Sequence, residues 1–186
     1  MITISGGQRL FIPNKIVVHL GKPEEDAENL IIFISDYIKC VASRVSYPTW
    51  PEGALRAIMY AIHNFALNRV HEKWYRKQGF DFDITNDIEL DLPFRKDGVV
   101  YDNLEKIAEE LTYSYLVRRG SWEPIHTPLD VTNNGVLQWG AVLLAEEGYR
   151  MQEILEYYYG DDVDMVIQIP TQAGSIHHIS HAAEIG

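Results

Sequence analysis

The stretch Trp50-Pro-Glu-Gly-Ala-Leu-Arg-Ala-Ile-Met-Tyr-Ala-Ile-His-Asn-Phe-Ala-Leu-Asn-Arg69 decides how the rest of this 186-residue chain must fold. Leu55, Ile58, Met59, Ile62, Phe65, Ala66, Val70 and Trp74 recur at three- and four-residue steps, the period of an α-helix. Thr49 and Glu52 have the spacing of a capping box, with the threonine oxygen accepting a backbone N–H and the glutamate reaching back. Pro51 suits a first turn, where its missing N–H costs nothing, and Gly79 supplies a stop. The expectation is a buried helix over about residues 50–78, roughly 28 residues and about 42 Å long at 1.5 Å per residue.

Working outward, Lys15–Leu20 and Leu30–Ile34 read as strands, the second the more deeply buried, joined by the charged connector that starts at Gly21. Ser35 or Asp36 is placed to cap a short helix through about Ser43, with Tyr37, Val41 and Cys40 as inward candidates. A thiol there serves as a small hydrophobe. Phe80–Ile84 alternates strictly and predicts a half-exposed strand. The acidic run Asp81, Asp83, Asp87, Glu89 and Asp91 lacks the glycine and bidentate glutamate of a calcium loop and reads as a solvated edge. Asp102 and Glu105 form a second capping-box spacing, opening a helix with Leu104, Ile107, Ala108, Leu111 and Tyr115 inward that runs to Arg118, Arg119 and Gly120. Ser121–Asn134 is irregular. Two short helices follow, Gln138–Gly148 and Tyr149–Tyr158 with a stop at Gly160, then a strand over Val163–Ile169. His177, His178 and His181 fall in what reads as a tail and not a metal site.

Composition bounds the function. Apolar residues make up 46% and aromatics 11%, an ordinary globular balance for one domain. A net charge of −11 argues against nucleic acid and anionic membranes as partners, because both are held by Lys and Arg. One cysteine excludes an intramolecular disulfide and a cysteine zinc cage. No stretch has the length of a bilayer span, so no membrane insertion is expected, and Met1–Gly7 lacks a secretory pattern. The expected location is therefore inside the cell, or in a spore or particle, unless the chain is a fragment of a cell-wall protein. Protease, Walker and dinucleotide motifs are missing, and no cofactor is expected.

Two segments and their spacing resemble the clostridial-type branch of the stage II sporulation protein D (SpoIID) family of peptidoglycan lytic transglycosylases. The first runs from Asp36-Tyr-Ile-Lys-Cys-Val-Ala-Ser43 through Trp50-Pro-Glu-Gly-Ala-Leu-Arg-Ala57 to Phe65-Ala-Leu-Asn-Arg69. The second comprises Asn134-Gly-Val-Leu-Gln-Trp-Gly-Ala141, Leu144-Ala-Glu-Glu-Gly-Tyr149 and Glu153-Ile-Leu-Glu-Tyr-Tyr-Tyr-Gly160, with Phe82-Asp-Ile-Thr85 between the two. The resemblance implies a single α+β domain over residues 14–169, with the long helix packed on a small, mainly antiparallel sheet. Residues 1–13 become an N-terminal extension and 170–186 a C-terminal tail.

That family cleaves the glycan strand without water, using one glutamate as acid and then as base. Counting nine residues forward from Asp36, or ten back from Leu55, puts that position at Val45, which has no proton to give. Where the family's pattern is polar, this chain has Ile58, Ile62, Leu92 and Leu137, and Asn133 stands at a cysteine position. Aliphatic replacement implies a cleft that has been filled or turned into an apolar contact surface, since burying unpaired polar groups costs about 1–3 kcal/mol each. The resulting expectation is a pseudo-enzyme with no catalytic residue, acting as a binding module for a protein partner, for itself or for a glycan strand. Its candidate contact residues are Tyr37, Val45, Trp50, Ile58, Ile62, Leu92, Leu137, Gln138, Trp139 and Tyr149. The alternatives are an active lytic transglycosylase whose acid has moved to Glu52, Asp36 or Asp91, and a structural subunit of a self-assembling particle.

Overall fold

A computed structural model describes residues 2–3, 11–127 and 136–168, with side chains for 11–127 and 138–168. The expectations for Asn133, the histidines at 177, 178 and 181, and the side chain of Leu137 lie outside the described residues. The elements in chain order are β1 Ile2–Thr3, β2 Lys15–His19, β3 Asn29–Phe33, α1 Ile34–Val45, α2 Glu52–Glu72 and, after a single 3-10 turn, β4 Ile84–Thr85. They continue with α3 Asp102–Leu111, β5 Ser114–Arg118, α4 Val136–Glu146, α5 Met151–Tyr159 and β6 Val163–Ile167.

The class is α+β. Helix α2 lies at the centre and packs against the other four helices as well as β4 and β5. Its residues from Ala54 to Leu67 are buried with the sole exception of Arg56, so the helix is inside on nearly every face. Such all-round burial marks a core helix and not an amphipathic surface one. The single sheet expected is instead two three-stranded sheets, ordered β1-β6-β5 and β3-β2-β4. Each combines one antiparallel pair with one parallel pair, so neither is mainly antiparallel. Ile2–Thr3 pairs in parallel with Met165–Val166, which makes part of the supposed N-terminal extension a strand of the fold.

Helix α2 is shorter than its sequence pattern, 21 residues ending at Glu72. Lys73 adopts φ 52°, ψ 42° and closes the helix with a left-handed cap, the Trp74 N–H bonding to the Arg69 carbonyl. A non-glycine residue accepts this conformation at a cost of about 1–2 kcal/mol. The turn brings Tyr75 into the interior at 3% exposure and lays Trp74 on the Arg69 guanidinium at 4.6 Å, contacts a straight helix would forgo. Neither capping box forms. Pro51 is the N-cap of α2 and Glu52 pairs with Arg56 at 2.7 Å, while Tyr101 caps α3 without a side-chain bond. Helix α1 likewise starts from Phe33 and not from Ser35 or Asp36.

Three further expectations change. The helix read through Arg118 ends at Leu111, and Ser114–Arg118 becomes β5, paired along its whole length with β6. Tyr115 is buried from a strand and not from a helix. The strand expected over Phe80–Ile84 is reduced to Ile84–Thr85, because the Asp83 carboxylate, accepting the Val17 N–H, stands where a strand amide ladder would continue. β3 is not deeply buried: it is an edge strand with Ile31 65% and Phe33 51% exposed. Asn64 ties α2 to β5. Its Nδ2 donates to the carbonyls of Leu116 and Ile125, both at 2.9 Å, and its Oδ1 accepts the Leu116 N–H at 2.6 Å.

Candidate functional site

The residues singled out from sequence separate into two groups. Tyr37, Ile58, Ile62 and Leu92 are core. Tyr37 stacks on Phe94 with ring centroids 5.6 Å apart, and its hydroxyl has no hydrogen-bond partner among the described residues. Burial, with the Asp91 charge adding to it, holds that hydroxyl protonated well beyond its ordinary range. Ile58, Ile62 and Leu92 therefore line no contact surface, contrary to one of the two roles expected for them; they fill the interior. Val45 is half-buried on the last turn of α1, packed against the core. Gln138 turns inward at 3% exposure with its Oε1 lacking a donor among the described residues.

The second group meets at the surface. After Val45, Ser46 closes α1 by bonding back to the Ala42 carbonyl through both its amide and its hydroxyl. Pro48 and Pro51 then stiffen the turn into α2, which the Trp50 N–H to Tyr47 carbonyl bond and the Asn103 amide on the Pro48 carbonyl hold in place. Tyr47 and Trp50 are thereby set edge to face at 5.5 Å. Trp139, projecting from the first turns of α4, closes on Trp50 at 5.0 Å and on Tyr47 at 6.5 Å. Tyr47 stays 59% and Trp139 53% exposed, so the cluster offers ring faces to solvent. Leu143, one helical turn along from Trp139, is also exposed. Tyr149, past the left-handed Gly148, is 44% exposed, and its backbone packs on Gly53 in the first turn of α2. Tyr47 and Leu143 were not singled out from sequence; the tyrosine wedged between Val45 and Pro48 was the available signal.

The carboxylates named as displaced acids are all engaged with cations. Asp36 meets Lys39 at 3.0 Å, and Glu52 meets Arg56, which also holds Glu110 at 2.7 Å. Asp91 is not part of a solvated edge. Its side chain is fully buried, with Oδ1 taking the Arg69 Nε at 2.8 Å and Oδ2 accepting from the Tyr75 hydroxyl at 2.6 Å, the Thr85 N–H and the Thr85 hydroxyl. Tyr75 is in turn held protonated well above its ordinary range by burial and by the Asp91 charge. Arg69 and Thr85 belong to the motifs quoted above, and both are spent on this carboxylate.

Elsewhere, a cavity of about 240 Å³ lies between α5 and β6, lined by residues including Met151, Leu155, Asp164 and Met165. Its lining includes none of the contact residues singled out from sequence. Among the described residues no cluster of three or more His, Cys, Asp or Glu side chains could hold a metal, and no helix is long and apolar enough to cross a membrane. Comparison with protein-family models, with curated proteins and with solved structures finds no match to this chain.

Proposed function

We propose that this chain is a catalytically inert relative of the SpoIID-like lytic transglycosylases, and that it binds a glycan strand through the Tyr47, Trp50 and Trp139 surface. The observation that carries the reading is the juxtaposition of three aromatic rings, two of them half-exposed, immediately after Val45, where the family resemblance calls for a glutamate. Aromatic faces carry partial negative charge and accept the C–H faces of sugars, while the rigid rings lose little entropy on contact. With Ile58, Ile62 and Leu92 in the core, the residues that argued for an aliphatic protein-docking pocket are no longer at a surface. Asp36, Glu52 and Asp91 each sit in an ion pair, which weighs against a displaced acid.

The test is a pull-down on purified peptidoglycan sacculi, paired with tryptophan fluorescence titration by soluble glycan strands. Binding should weaken by about tenfold or more, equivalent to about 1.4 kcal/mol, in Trp139→Ala. Prolonged digestion should release no anhydro-sugar products. Release of such products would overturn the inert reading, and binding indifferent to Trp139 would overturn the site.

A further inference from the structure

Among the described residues the outer edge of β3 is unpaired, and it has the geometry to pair with itself. In the β2–β3 ladder, Leu20 N–H bonds to the Glu28 carbonyl and Ile34 N–H to the Asn14 carbonyl, so the pairs Val18↔Leu30 and Ile16↔Ile32 are the hydrogen-bonded ones. On the other side of β2, the Val17 N–H and carbonyl both engage Asp83, and the His19 carbonyl accepts from Asn86. Val17 and His19 thus direct their backbone groups away from β3, and their partners Ile31 and Asn29 direct theirs to the open side. Among the described residues no strand lies there. Edge strands normally carry charges or proline as protection against such pairing, yet Asn29-Leu-Ile-Ile-Phe33 has neither, and Ile31 and Phe33 stand exposed on its outer face.

We propose that β3 joins a second copy of this chain, antiparallel about a two-fold axis through Ile31, making one continuous six-stranded sheet. The two Ile31 residues exchange both backbone bonds, and each Phe33 N–H reaches the partner's Asn29 carbonyl. The Phe33 carbonyl belongs to the N-cap of α1, so four inter-chain backbone bonds form. Charge selects this direction. One end of the strand carries Lys15, over the Phe33 ring at 4.7 Å; the other carries Asp81, held by Asn29, and the 20–28 loop, where Glu24, Glu25, Asp26 and Glu28 outnumber Lys22 and the Lys96 that pairs with Glu28. Antiparallel pairing sets each basic end against an acidic one, and parallel pairing would set like against like. The inference stands apart from the aromatic surface and does not depend on what that surface binds.

Sedimentation equilibrium of the whole chain should show a reversible dimer as concentration rises towards about 1 mM. Because a residue on the axis meets its own copy, Ile31→Glu and Ile31→Lys should each be monomeric, with dissociation constants raised by about 100-fold or more, while their equimolar mixture should recover a heterodimer. Ile31→Pro removes an N–H directed outward, so circular dichroism and thermal unfolding should show a folded chain that no longer pairs. A monomer throughout, a dimer that survives all three substitutions, or a mixture that fails to associate would each overturn the proposal.

Discussion

Asp91→Asn is the sharpest probe of how this fold is held together. Oδ2 of Asp91 faces three donors, among them the Thr85 backbone N–H, which can never become an acceptor. The asparagine must therefore put its oxygen there and aim its NH2 at the Arg69 Nε, donor against donor. Arg69, only 12% exposed and packed against Phe65 and Trp74, then keeps a charge without a counter-ion. Breaking one side of a buried pair costs about 3–5 kcal/mol. For a chain of this length each kcal/mol moves the midpoint by about 2–4 °C, so the melting temperature should fall by about 6–20 °C. Tyr75→Phe, which removes one donor and leaves the pair intact, should cost about 1–2 kcal/mol. Thermal unfolding followed by circular dichroism measures both. A shift under about 3 °C for Asp91→Asn, or a larger loss for Tyr75→Phe, would refute the account of Asp91 as the hub.

Burial lowers His63 to about 4, with the Ser114 backbone opposing more weakly. The folded value lies below the unfolded one of about 6.5, so the stability held by the neutral ring is complete above that pH and is lost as the pH falls towards 4, by about 3 kcal/mol. Urea midpoints at neutral and acid pH should show this slope flattened in His63→Phe. At Gly140 an added Cβ would overlap the Tyr158 hydroxyl and lie 3.2 Å from Cζ. Gly140→Ala should thus destabilise by about 1–3 kcal/mol in chemical denaturation, and Tyr158→Phe should recover part of the loss. Lys73→Gly, relieving the left-handed cap at φ 52°, should raise stability by about 1 kcal/mol and the melting temperature by a few degrees.

The inward face of α2 could be read from spacing alone, because Leu55, Ile58, Met59, Ile62, Phe65 and Ala66 need only the period of the helix. Its end could not. Gly79 is the chemically obvious stop, but the helix turns at Lys73, for the sake of Tyr75 and Trp74, whose partners are distant in sequence or created by the turn itself. β5 was hidden for a related reason: Tyr115 sits four residues after Leu111 and continues the helical stripe, while the pairing that makes Ser114–Arg118 a strand comes from β6, some fifty residues on. Capping boxes were visible as spacings, yet Glu52 had a competitor in Arg56. In the candidate site, Trp50 and Trp139 were marked by motif, but their contact spans nearly half of the chain and only folding could disclose it. The acidic run concealed Asp91, since nothing local separates a carboxylate bound for the interior from its solvated neighbours.

The sheet that exposes β3 has a second flank, and there the backbone amide of Thr85 is already taken by a carboxylate rather than by a strand. A ribbon grows only if both of its margins can accept the next unit. Here one margin is corked by a carboxyl side chain with no amide to offer, so association along this sheet terminates at a closed pair instead of propagating into a fibre. A single buried acid would then separate a finite assembly from an open-ended polymer.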